Sequence, residues 1–152
     1  IPYEHIIVLV NTEKYGGGGI LNSYNLSMTH HRSFKPVVVH EFGHSFAGLG
    51  DEYAYENEPI PMYPHDVEPW EKNLTTLISF SEKWADMIPN GTKIPTQIMP
   101  GKSKVGVYEG AGYSLNGVYR GYPDCRMRTN ENPEFCPICR KALTDLIDFY
   151  TK

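Results

Sequence analysis

The chain has 152 residues, 40% of them apolar and 12% aromatic, which is enough for one domain with a packed core. Its formal net charge of -4 excludes the basic stripe that nucleic acid requires. No apolar run approaches the roughly 20 residues needed to cross a bilayer, so a membrane span is excluded as well.

Ile1-Pro2-Tyr3-Glu4 leads straight into apolar sequence, without the basic start or small-residue cleavage site of a signal peptide. Only 39 residues precede His40. Residues 1–152 are therefore expected to be a single catalytic domain, already processed or excised from a longer chain with flanking domains. Ile6 to Val10 is a continuous run rich in branched residues, the pattern of a central strand buried on both faces. Gly16 to Gly19 reads as a flexible connection, and it lacks the Gly-Lys-Ser/Thr that would make it a phosphate loop. In the next segment Tyr24, Leu26 and Met28 alternate with Ser23, Asn25 and Ser27, which predicts a half-exposed edge strand. Such an edge could hold an extended peptide through main-chain hydrogen bonds.

The apolar run Val37 to Val39 after Pro36 begins a helix that should stop at Gly48, with Val38, Phe42, Ala47 and Leu49 supplying its buried surface. That helix carries His40-Glu41-Phe42-Gly43-His44. A helix turns about 100° per residue, so His40 and His44 stack on one face and can grip one metal ion. Glu41 sits about 100° round from His40, where it can reach a water on the open side of the ion and act as general base. Asp51-Glu52-Tyr53 follows the glycine break and returns a carboxylate toward the ion, which makes Asp51 the expected third ligand. Glu82 and Asp86 have the E-x-x-x-D spacing of a competing plan in which the third ligand comes from a later helix.

From Asp51 to about Glu71 the chain is rich in proline, tyrosine and acid, without periodicity, and is expected to form a surface loop with solvated acids. Ser79 to Ile88 carries a capping-box start, Ser79 with Glu82, and predicts a short helix ended by Pro89. Asn116-Gly117, between Tyr113-Ser114-Leu115 and Val118-Tyr119-Arg120, predicts a two-residue hairpin turn. Pro137 to Tyr150 has Ile138, Ala142, Leu143, Leu146 and Ile147 at helical spacing and predicts a packed closing helix.

Together, His40-Glu41-Phe42-Gly43-His44, Gly48-Leu49, Asp51-Glu52-Tyr53, Tyr15-Gly16-Gly17, Glu109-Gly110-Ala111, Tyr119-Arg120, Cys125 to Arg128 and Phe135 to Arg140 resemble the immunoglobulin A peptidase family of bacterial zinc metallopeptidases. The arrangement is also similar, more distantly, to the metzincins, whose site rests on a methionine turn that Met127 would supply. This resemblance implies an α+β, zincin-like catalytic domain: a small mixed twisted sheet with an edge substrate strand, an active-site helix and a closing C-terminal helix. It implies a secreted, cell-surface or periplasmic bacterial zinc endopeptidase that hydrolyses protein or peptide substrates, immunoglobulin among them, with one catalytic Zn2+. An inactive module that binds metal, host proteins or glycans on the same fold is the alternative. Against the metzincin motif, Gly48 lies four rather than three residues after His44, and Asp51 seven rather than six, so Glu52 is a second candidate for the third ligand. A tyrosine two residues after the methionine assists some metzincins; here that position is Thr129, which leaves Tyr113, Tyr119 and Tyr122 as candidates for the oxyanion helper.

The three cysteines are Cys125, Cys136 and Cys139. A disulfide from Cys125 to one of the other two is expected, as suits a secreted enzyme, with all three reduced as the alternative. A structural zinc site would want a fourth ligand that the neighbouring sequence does not offer.

Overall fold

The computed structural model describes residues 5–57 and 62–152. Pro59 and Pro61 of the expected loop lie outside the described residues. Three short strands come first: β1 (Ile7–Val10), β2 (Gly17–Ile20) and β3 (Tyr24–Met28). They form one mixed sheet in the order β1-β3-β2, with β1 parallel and β2 antiparallel to β3. Helix α1 (Phe34–Ala47) packs on this sheet, chiefly against β2 and β3.

The order corrects three expectations. Residues Ile6 to Val10 do not form a central strand: β1 is an edge, and Ile7 and Leu9 are 51% and 57% exposed. The strand of alternating residues, β3, is the central one, and its polar side faces inward. Asn25 and Ser27 are fully buried, and the Asn25 amide donates to the Val38 carbonyl of α1 at 2.9 Å. Small polar side chains let the helix lie close to the sheet, and bonding to the helix backbone satisfies them, so burial overrode the apolar pattern. The glycines, expected as a flexible connection, form strand β2 at the other edge. A Cβ on Gly17 would lie 2.6 Å from Glu41 Oε1, and one on Gly19 would collide with the Glu41 carbonyl and lie 2.8 Å from His44 Cβ. Residues without side chains are what allow this strand to lie directly on the helix that carries the histidines.

Helix α1 begins two residues before Pro36 and stops where the glycine predicts. Gly48 takes the left-handed conformation (φ 58°), while the Gly48 and Leu49 amides bond the carbonyls of His44 and Gly43. Val37, not Val38, is the fully buried valine, and Leu49 is buried beyond the cap.

A second, antiparallel sheet has the order β4-β6-β5, with β4 (Leu74–Thr75), β5 (Tyr108–Ala111) and β6 (Ser114–Arg120). Its turn is not Asn116-Gly117. The chain reverses at Gly112 and Tyr113, both with positive φ, and Asn116-Gly117 is absorbed within β6 where the pairing register shifts. Gly117 is needed there because a Cβ would lie 2.5 Å from the His65 ring.

The segment Ser79 to Ile88 forms two separate 3₁₀ turns, Phe80–Glu82 and Ala85–Met87, with no capping bond from Ser79. The Lys83 ammonium reaches back to the carbonyls of Pro69 and Glu71 and pairs with Glu68 at 3.7 Å, and Trp84 is buried with its indole N-H on Gly106 O at 2.8 Å. These anchors hold the segment to its neighbours instead of letting it close a regular helix. The acids before it are not all solvated: Glu71 is 7% exposed and accepts a bond from Tyr63 at 2.8 Å. Helix α2 (Pro137–Thr151) follows, fully buried in its first turn through Ile138 and Cys139 and packed further along through Ala142, with Leu143 and Leu146 half-buried, while Ile147 and Phe149 stay exposed. The main core lies between α1, α2 and the 3₁₀ turns and contains Leu49, Trp84, Met127 and Ile138 with the three cysteines. No helix among the described residues is long and apolar enough to cross a membrane.

Candidate metal centre

His40 and His44 project from one face of α1, as their spacing dictates, and Asp51 reaches the same point from the segment after the glycine break. The Nε2 atoms of the two histidines are 3.1 Å apart, and Asp51 Oδ1 lies 3.0 Å from His40 Nε2 and 3.2 Å from His44 Nε2. The other ring nitrogens fix the tautomers. His40 Nδ1 donates to the Arg126 carbonyl at 2.9 Å and His44 Nδ1 to the Leu49 carbonyl at 2.5 Å. In its neutral form each imidazole therefore turns the lone pair of Nε2 toward Asp51. Three acceptor atoms converge with no hydrogen of their own to share, an arrangement that a cation satisfies. Their separations are close to the edge of roughly 3.3 Å expected for a tetrahedron with metal–ligand bonds of about 2.0–2.1 Å, so the donor set fits a zinc-like ion.

Asp51 is held from several sides. The Tyr113 hydroxyl donates to its second carboxylate oxygen, Oδ2, and the Tyr53 ring packs edge-on against that of Tyr113 with centroids 5.3 Å apart. Main-chain bonds fix the segment: Glu52 N-H to Met127 O at 2.8 Å, Gly112 N-H to Asp51 O at 2.8 Å and Tyr113 N-H to Tyr53 O at 2.9 Å. The positive φ of Gly112 and Tyr113 is thus what aims the Tyr113 ring at Asp51. Beneath the histidines lies Met127, fully buried and in contact with the helix at Gly43, where a Cβ would meet its sulfur at 2.5 Å. The carbonyl of the preceding Arg126 is the acceptor for His40.

Glu41 stands beside the three groups without joining them. Burial raises its carboxyl above the ordinary value, against the opposing pull of His40 and His44. Burial would raise Asp51 too, but in the metal-free site the bonds it accepts from His40 and His44 when these are protonated, and from Tyr113, outweigh burial and hold this carboxyl well below the ordinary range. Burial would lower His44, but bonding and charge from Asp51 outweigh that and raise it. The result is one carboxylate committed to the histidines and one poised to accept a proton.

Gly17, Gly18, Gly19, Glu41, Tyr53 and Tyr113 line the cleft above the three groups, and it extends past Tyr15 and Tyr55 to Arg128, Thr129 and Asn130. The edge strand beside the site is therefore β2, not β3. Of the three tyrosines expected from sequence, Tyr113 is at the site, where it orients Asp51. Tyr119 bonds Glu109 instead, and Tyr122 packs on the main core. Tyr53, which sequence reasoning quoted but gave no role, stacks on the His40 ring at 6.5 Å. The carbonyls of Leu49 and Arg126 leave no signature in sequence, since every residue has one. Glu52 turns away from the cleft into the core, and Glu82 lies exposed on the 3₁₀ turn, beside Lys141 and Asp145. Neither joins His40 and His44. The expected disulfide is not formed, and Cys125, Cys136 and Cys139 are all free.

The model of the IgA peptidase family M64 matches residues 1–101 and 99–147 of the chain, which therefore belongs to that family. No curated protein matches it.

Proposed function

We propose that this member of the IgA peptidase family is a zinc-dependent endopeptidase in which His40, His44 and Asp51 hold the ion and Glu41 is the general base. Membership supports peptidase chemistry and protein substrates in general. The observation that carries the finer assignment is the convergence of two Nε2 atoms and one carboxylate oxygen, beside a fourth group, Glu41, that stays free of them.

A bound zinc ion supplies Lewis acidity, which makes a water more acidic and a carbonyl more electrophilic. The rest falls to the protein. Glu41, raised by burial, accepts the proton of the attacking water and later delivers it to the leaving amine. β2 offers its outer edge to an extended peptide, whose main chain can continue the sheet across the cleft. Tyr53 and Tyr113 keep their protons, because burial raises both hydroxyls and the charge of Asp51 raises them further, so they act as donors. Secretion draws no support from the cysteines, which are unbridged.

The test compares wild type with Glu41→Ala for metal content and for hydrolysis of a denatured protein substrate. Loss of the base should lower kcat by roughly 10²–10⁴-fold while the ion is retained. Equal rates would remove Glu41 from the mechanism, and an inactive wild type with its metal bound would favour a binding module.

A further inference from the structure

Asp51 and Glu52 are neighbours that point in opposite directions. Where Asp51 faces the cleft, Glu52 is fully buried, and the three cysteines surround it: Cys125 and Cys139 are also fully buried and Cys136 is 4% exposed. One oxygen of Glu52 and the three sulfurs all lie within 4.8 Å of one another. Glu52 Oε1 is 3.2 Å from Cys139 Sγ and 4.0 Å from Cys136 Sγ, and the sulfurs of Cys125 and Cys139 are 3.7 Å apart. A disulfide would need about 2.05 Å. A tetrahedral zinc ion with bonds of about 2.3 Å to sulfur sets an edge of roughly 3.8 Å, close to the separation found.

A second observation points the same way. Glu52 Oε2 is buried with no hydrogen-bond partner among the described residues, a state that costs free energy unless something else satisfies the carboxylate. The surroundings suit a negatively charged ligand set. Asn73 Nδ2 donates to Glu52 Oε1 at 2.9 Å, and the Cys136 N-H points at Cys125 Sγ at 3.1 Å. Cys136 caps the N-terminus of α2 and Cys139 lies in its first turn, where the helix dipole favours thiolates. Arg120, 3% exposed, adds a positive charge that acts on Glu52.

We propose that Glu52, Cys125, Cys136 and Cys139 form a second metal site, a closed structural centre for zinc or a similar thiophilic divalent ion. Burial on every side leaves no open position, so the role is structural. The fourth ligand that the neighbouring sequence lacks comes from the segment after α1. On binding, the thiols and the carboxyl release their protons to solvent. The ion would tie together three pieces: the segment carrying Asp51, the turn carrying Met127 and the start of α2. This assignment does not depend on the peptidase mechanism.

The test uses the chain purified with a thiol reductant and zinc, with metal measured by elemental analysis and a parallel sample loaded with cobalt(II). Wild type should hold about two ions, and His40→Ala and Cys139→Ser about one each. Thiolate-to-cobalt charge-transfer absorption should appear in wild type and His40→Ala and vanish in Cys139→Ser. Should Cys139→Ser fail to fold, the wild-type and His40→Ala spectra decide alone. The proposal is overturned if those two lack thiolate absorption, if wild type holds no more than one ion, or if mass spectrometry after alkylation finds Cys125 bridged to Cys136 or Cys139 in protein purified without reductant.

Discussion

At the scale of single residues, the site depends on how Asp51 is held as much as on its identity. Tyr113 donates to Oδ2 and so leaves Oδ1 to face both histidines. Groups that orient a ligand in this way typically account for 10–100-fold in metal affinity. Tyr113→Phe should therefore weaken zinc retention by roughly that factor, measured by competition with a chelator; unchanged retention would mean that the main-chain bonds alone fix Asp51. His44 gives the pH dependence. Its metal-free pKa is raised above 6.5, since Asp51 outweighs burial, and a proton on Nε2 occupies the lone pair that the ion needs. Zinc affinity should accordingly be weak below that raised pKa and should strengthen as pH rises through it. Chelator competition from about pH 6 to about pH 8 would show this, and a flat profile would count against His44 as a ligand.

At the scale of elements, the closest tolerance is between β2 and α1. Gly19 faces the Glu41 carbonyl, a backbone atom that cannot swing aside, whereas a Cβ on Gly18 would meet nothing within 4 Å. Gly19→Ala should destabilise by roughly 1–3 kcal/mol through overpacking and lower kcat as β2 lifts from the cleft. Gly18→Ala should stay within about 0.5 kcal/mol of wild type. Denaturant midpoints and initial rates for the two variants would separate them, and equal behaviour would refute the close approach. The same strand shows why pattern alone misled. Gly17 to Gly19 has no hydrophobic period to read, because Gly17 and Gly19 must lack side chains where they meet the helix. The inverted face of β3 has a related cause: Asn25 is stabilised by its bond to Val38 O, which sequence does not display.

At the scale of the whole molecule, one polar side chain links the helix end, the second sheet and the cysteine cluster. Asn73, fully buried, accepts from Gly50 N-H at 2.8 Å and donates to Gly50 O and to Glu52 Oε1, both at 2.9 Å. Asn73→Ala should cost roughly 1–3 kcal/mol, because Gly50 and Glu52 would lose partners in a place water does not reach. A shift in the urea midpoint that corresponds to less than about 0.5 kcal/mol would show that the segment relaxes around the change.

What the sequence determined by itself was local. The helical spacing of His40 and His44, the stop at Gly48 and the nearby Asp51 all follow from the period and backbone freedom of a short stretch of chain, and the structure brings those three side chains together. The start of α2 at Pro137 is local in the same sense. Only the tertiary structure decided the rest, because the partners are distant in the chain. It chose β2 as the open edge and Gly112-Tyr113 as the turn, and it paired Arg126 O with His40. It also sent Glu52 to the cysteines rather than to the histidines. Adjacent residues in an extended segment point to opposite sides, so once Asp51 faced the cleft, Glu52 had to face the core.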